Sequence, residues 1–318
     1  MSQKKNEAAR RIGAIEKLIC RDVGRKTQRL IDATAGELQA AAETLAGASS
    51  VGLITGFFVP RGDVAAPETD GPAGTALLAA GLAACGVQAR IAVDSPCAKA
   101  VRAAVLAAGG TAGEGAVTVD EIALDDAGAI ERTIAAWRAA EVDHAISIER
   151  CGRSIDGKPR NMRGVDVSPW TAPLDDLYLA GDWRRLAVGD GGNEMGMGKL
   201  SRALIAAEVP NGAAIASVTS CDHLIVAGVS NWGAYGLMAA LAVLRPDWRD
   251  RMLSLLTAER DLAVTQATVD QAGAVDGVTA RREATVDGFG PEIHGALVEE
   301  LRRIACAPAA KATLHDRR

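Results

Sequence analysis

Aromatic residues are scarce in this 318-residue chain: phenylalanine, tryptophan and tyrosine together make up 3% of it. That leaves little from which to build the stacking platforms that grip unpaired bases. A positive balance is missing too, since 35 Lys and Arg face 40 Asp and Glu, for a formal charge of −5. Neither nucleic acid nor an anionic membrane surface is therefore an expected partner. No run of about 18 apolar residues occurs, so no membrane span is expected. The opening MSQKKNEAARR carries no apolar stretch followed by a cleavage site, which argues against a secretory signal. The six cysteines (Cys20, Cys85, Cys97, Cys151, Cys221 and Cys306) form no Cys-x-x-Cys pair. They read as reduced thiols filling small core positions, and the expected compartment is the cytoplasm.

What is present is globular: 48% hydrophobic, 24% charged, and rich in alanine and glycine. With no low-complexity linker and no solenoid period, one unit over residues 1–318 is expected. Residues 1–47 read as a helical segment packed on it, with Ile12, Ile15, Leu18 and Ile19 on one face. Its first thirty residues are basic. They read either as a solvated face or as a source of an anion-binding residue, Arg21 or Arg25. Short apolar runs then predict strands at 51–55, 89–93, 144–148, 185–188 and 213–218. Helical segments are predicted between most of them, at 73–85, 97–108, 127–140 and 195–207. From 231 to 272 the pattern is largely helical, and 291–306 reads as a final helix. Such alternation predicts a three-layer α/β/α fold with a mostly parallel sheet and a pocket at the carboxyl ends of its strands.

The strand tips hold the candidate chemistry. Glu149-Arg150 is either an acid beside a carboxylate clamp or a strand-end ion pair. The run Gly189–Gly198 fits neither the dinucleotide fingerprint nor the P-loop. It reads as an anion-approaching turn with hard oxygen ligands at Asp190, Asn193 and Glu194 for Mg²⁺ or Mn²⁺, or as a tight turn in which Asp190 and Asn193 cap the next helix. Arg160 and Arg163 bring guanidinium groups suited to carboxylates, so an acidic substrate is expected. Cys221-Asp222-His223 invites a nucleophile or metal reading, but the spacing suits a dyad poorly and a structural cysteine is expected. His144 and His315 are expected to be structural or solvent-facing.

Five runs carry a resemblance: Glu68-Thr-Asp-Gly-Pro72, Ile148-Glu-Arg-Cys-Gly152, Gly189–Gly198, Ser230-Asn-Trp-Gly-Ala-Tyr235 and Ala284-Thr-Val-Asp-Gly288. Together, and in this order, they resemble the D-glutamate cyclase family over residues 13–305. The resemblance implies a hydro-lyase that turns D-glutamate into 5-oxo-D-proline and water. On that basis Glu149, Asp190 and Glu194 are the candidates for proton transfer. Asp70, Arg150, Arg163, Gly191, Gly192, Asn193 and Asn231 are the candidates for substrate binding. A divalent cation on Asp190 and Glu194, and a homo-oligomer, are compatible with it. The residues alone leave open another lyase, a racemase or an amidohydrolase acting on a small acidic amino or hydroxy acid. A non-catalytic metabolite binder stays open as well.

Overall fold

The computed structural model describes residues 3–110 and 116–306. The chain opens with helices α1 (Gln3–Ile19), α2 (Gln28–Asp32) and α3 (Glu37–Leu45). Strand β1 (Ser50–Ile54) follows, then an antiparallel ribbon of β2 (Phe58–Arg61) and β3 (Val64–Pro67). Next come α4 (Pro72–Ala84), β4 (Gln88–Asp94), α5 (Ser95–Ala108), β5 (Thr118–Ile122), α6 (Ala129–Ala139) and β6 (His144–Ile148). The middle of the chain supplies α7 (Leu174–Leu179), β7 (Arg184–Gly189), α8 (Arg202–Glu208), α9 (Gly212–Ile215) and β8 (His223–Val226). Helices α10 (Ser230–Leu244), α11 (Arg249–Leu255), α12 (Ala258–Ala272) and α13 (Pro291–Cys306) complete it.

Six strands form one parallel sheet in the order β5-β4-β1-β6-β7-β8. Side chains alternate between its two faces. Leu53, Ile91, Val93, Ile146, Ile148, Leu186, Val188 and Ile225 face a core built with α1, α3, α4 and α10. Their neighbours Ile54, Ala92 and Ala145 face α6 and α7, while Ala187, Leu224 and Val226 face α2, α8 and α9. The second face is kept small for a reason. A Cβ on Gly52 would overlap the six-membered ring of Trp137, which lies flush on β1.

From β1 the chain winds outward through β4 and β5, then returns to β1's other flank and winds through β6, β7 and β8. The reversal opens a crevice between the carboxyl ends of β1 and β6, where doubly wound sheets take their ligands.

Several predicted boundaries differ. Residues 213–218 are not a strand; they form α9 and an extended loop, and the sixth ladder position belongs to β8. The predicted helix at 195–207 is a turn followed by the short α8, because the N–H groups of Gly196 and Gly198 both bond to the Thr219 carbonyl. Ser201, rather than Asp190 or Asn193, caps α8. Cys221, Asp222 and His223 consequently lie at the amino end of β8, away from the strand tips. There Asp222 accepts from the Arg185 N–H and His223 pairs with Glu37 at 2.9 Å. His144 is buried against Asp143 at 2.7 Å, and His315 lies outside the described residues. No helix among the described residues is long and apolar enough to cross a membrane.

Candidate active site

A cavity of about 300 Å³ opens at the crevice. Phe57, Phe58, Val59, Met162 and Val278 give it an apolar side. Glu68, Glu149, Asp190, Glu194 and Asp287 give it an acidic one, with Arg25 set among them and Asn161, Arg163 and Asn193 completing the lining. Glu149 and Asp190 are each the first residue beyond a strand, β6 and β7, which is how two adjacent parallel strands bring carboxylates together. One oxygen from each of Asp70, Glu149 and Asp190 lies within 4.8 Å of the others, and the same holds for Glu68, Asp70 and Asp287.

Local backbone aims these groups. Glu149 has φ 43° and Asp287 φ 57°, both left-handed. For a glutamate that conformation is uncommon, and holding it costs about 1–3 kcal/mol. Gly71 makes room for it: a Cβ there would sit 2.8 Å from both the Glu149 Cβ and the Thr55 Oγ1. The Ser230 hydroxyl donates to Glu149 Oε2 at 2.6 Å. Arg25, in the loop between α1 and α2, ion-pairs with Asp190 and with Asp287. The Asp287 loop is itself organised by Asp276, which accepts from the N–H groups of Val278, Thr279 and Gly288 and from the Thr285 hydroxyl.

So many carboxyl groups cannot all be charged in one buried place. Burial pushes Glu149 well above the ordinary carboxylate range, and repulsion from Asp190, Glu194, Asp70 and Glu68 adds to it. Burial likewise raises Asp190, with Arg25 opposing, and raises Glu68, with Asp287 and Asp70 reinforcing. Asp70 is pushed up to about 8, by burial first and then by Asp287. Burial disfavours the Arg25 charge, but Asp190 and Asp287 outweigh it and keep the guanidinium protonated.

The sequence-predicted residues divide into two groups. Glu149, Asp190, Asn193, Glu194 and Arg163 line the cavity, and the exposed Arg163 guanidinium has no hydrogen-bond or ion-pair partner among the described residues. Glu194 and the predicted residues outside the lining are engaged by contacts within the protein. Glu194 borders the cavity, but its carboxylate accepts from the N–H groups of Asp190, Gly191 and Gly192 at 2.8, 2.5 and 2.6 Å. The donors expected to meet an anion therefore already hold one of the protein's own, and neither metal-competent carboxylate trio includes Glu194. Asn231 accepts from Gly71 and Gly74 and donates to the Thr69 carbonyl, while Asp70 accepts from the N–H groups of Ser230 and Asn231. The two side chains brace the Glu68–Pro72 turn against the start of α10. Arg150 lies outside the lining, its guanidinium bound to Asp94 and to the Gly56 and Ala172 carbonyls rather than to Glu149. Arg160 is paired with Asp156.

Three charged cavity residues were not singled out as site candidates by sequence: Glu68, Asp287 and, except as one of two alternatives, Arg25. Glu68 and Asp287 do fall inside the runs that carry the family resemblance.

Those runs are matched as a whole. The family model described as "D-glutamate cyclase-like, C-terminal" covers residues 15–302. This chain belongs to that family. The D-glutamate cyclase-like chain is also 34% identical over 220 residues to the human (Homo sapiens) protein named "D-glutamate cyclase, mitochondrial". The aligned stretch is 65% of this chain and 35% of the human protein, so the chain spans about a third of that relative's length.

Proposed function

We propose that this protein is a lyase that closes D-glutamate into 5-oxo-D-proline with release of water. The observation that carries the reading is the pairing of several proton-holding carboxyl groups with one unpartnered arginine in a cavity of about 300 Å³. The family membership supports it.

The chemistry makes three demands. The ammonium must lose a proton before its nitrogen can attack C5; the γ-carboxyl must accept the attack; and an oxygen must depart as water. In sum one C–N bond forms, one C–O bond breaks, and two protons pass from nitrogen to the departing oxygen. An acidic wall draws in the ammonium, and an ionised carboxylate there removes its proton. Asp190 suits that role because burial raises it above the ordinary carboxylate range, which makes its ionised form the stronger base, while Arg25 opposes that rise. Glu149, raised by burial, keeps a proton to hand to the departing oxygen. Arg25 and the protonated carboxyls supply the positive field for the developing oxyanion, since the loop N–H groups are engaged by Glu194. Arg163 holds the α-carboxylate, whose charge does not change during the reaction.

The same donor set fits a divalent cation. Asp70, Glu149 and Asp190 offer hard oxygens, and Asp190 Oδ2 is buried with no hydrogen-bond partner among the described residues. Bound there, Mg²⁺ or Mn²⁺ would polarise the γ-carboxyl group.

The deciding experiment incubates the purified protein with D-glutamate and with L-glutamate, each with Mn²⁺ and with a chelator. Oxoproline is detected by mass. Formation from the D isomer supports the reading. Absence of oxoproline under every condition overturns it.

A further inference from the structure

Arg150 carries a fully buried guanidinium just outside the cavity. Its Nη1 lies 2.6 Å from Asp94 Oδ2 at the tip of β4 and donates to the Gly56 carbonyl, just beyond β1, at 3.0 Å. Its Nη2 donates to the Ala172 carbonyl at 2.7 Å, and the Ala172 N–H returns to Asp94 Oδ2 at 3.1 Å. Its own carbonyl accepts from the Met195 N–H at 2.8 Å, in the loop that follows β7. One residue thus ties together the tips of β1, β4, β6 and β7. The next residue back is Glu149, whose left-handed backbone is otherwise unfavourable for a glutamate.

We infer that the Asp94–Arg150 knot is a positioning device. It fixes the strand tips so that Glu149 is held in its left-handed conformation and aimed into the cavity, and Arg150 does not itself touch the substrate. A planar fork with fixed donors suits the task, because a lysine's single ammonium cannot reach Asp94, Gly56 and Ala172 together. The inference rests on the cyclase reading for its kinetics but not for its geometry.

The test uses Arg150→Lys, which keeps the charge opposite Asp94, with Asp94→Asn as a second variant that weakens the same knot from the other side. Assayed on D-glutamate, Arg150→Lys is expected to lose ten- to a hundred-fold in kcat while KM changes by less than about two-fold, the mark of a contact that matters only to the reacting geometry. A rise in KM at unchanged kcat would mean a substrate clamp and overturn the inference. So would a lowered melting temperature with both constants unchanged.

Backbone carbon chemical shifts of Glu149 give a readout independent of turnover. In the wild-type protein they are expected to mark a left-handed residue, and in both variants to move toward those of the ordinary conformations. Unmoved shifts in both overturn the inference. If the wild-type protein makes no oxoproline, the cyclase reading fails, and the backbone shifts alone decide the role of Arg150.

Discussion

At the scale of single residues, three carboxylates that look alike in the sequence meet two different fates. Glu149 and Asp190 face the cavity with charges disfavoured by burial, whereas Glu194 spends its oxygens on three N–H groups of its own loop. Glu149→Gln and Asp190→Asn should each lower kcat by about 10²–10⁴-fold, the range in which a positioned acid or base contributes, with unfolding transitions near wild type. Glu194→Gln should act on stability instead. An amide offers one acceptor where the carboxylate offered two, and it turns an NH₂ toward an N–H group. The expected loss is about 2–4 kcal/mol in urea unfolding. Arg163→Ala should raise KM ten- to a hundred-fold at nearly constant kcat, since the α-carboxylate is held equally in ground and transition states. Loss of kcat at unchanged KM would instead make Arg163 an oxyanion ligand. The residues after β6 and β7 were legible because the first position past a parallel strand falls at the ligand-binding edge. Glu68 and Asp287 were not, because they sit on loops whose course depends on contacts such as those of Asp276.

At the scale of elements, close packing on β1 makes a sharp prediction. Gly52→Ala would push its new methyl group into Trp137 and should cost about 1–3 kcal/mol, the usual range for overpacking. Urea unfolding followed by tryptophan fluorescence checks it. The strands read well from sequence were those with mostly apolar residues and burial on both faces, as in β1 and β6, which are buried along their whole length. The others gave no such signal. In β5, Thr118-Val-Asp-Glu-Ile122 lies at the sheet edge and buries only its last residue. β8 has four residues, and the apolar run 213–218 just before it drew the assignment away. Likewise, Met195, Met197, Leu200 and Ile205 imitate a helical stripe, yet the first three pack from turns. Hydrophobic spacing reports burial, and at a turn-rich site burial and helicity part company.

For the molecule as a whole, the carboxylate cluster sets the direction of pH dependence. Asp70 holds its proton up to about pH 8 in the folded state, and Glu68, Glu149 and Asp190 are shifted the same way. In the unfolded chain these groups ionise near pH 4. Between those limits the native state binds more protons than the unfolded one, so stability should fall as pH rises from about 4 to 8. The slope is at most about 1.4 kcal/mol per pH unit for each group. Urea midpoints measured across that range check the sign, and a midpoint that climbs toward pH 8 would contradict it. The ion pairs made by Arg25 carry a different consequence, one of timing. They join the loop between α1 and α2 to Asp190, which follows β7, and to Asp287, which follows α12. On the ribosome, the strands of the sheet can be made and begin to pair while this constellation is still missing its last member. A chain broken off before residue 287 would keep all eight strands and still lack the second carboxylate that Arg25 bridges. Competence therefore arrives only once residue 287 has been made, after the sheet that supports it.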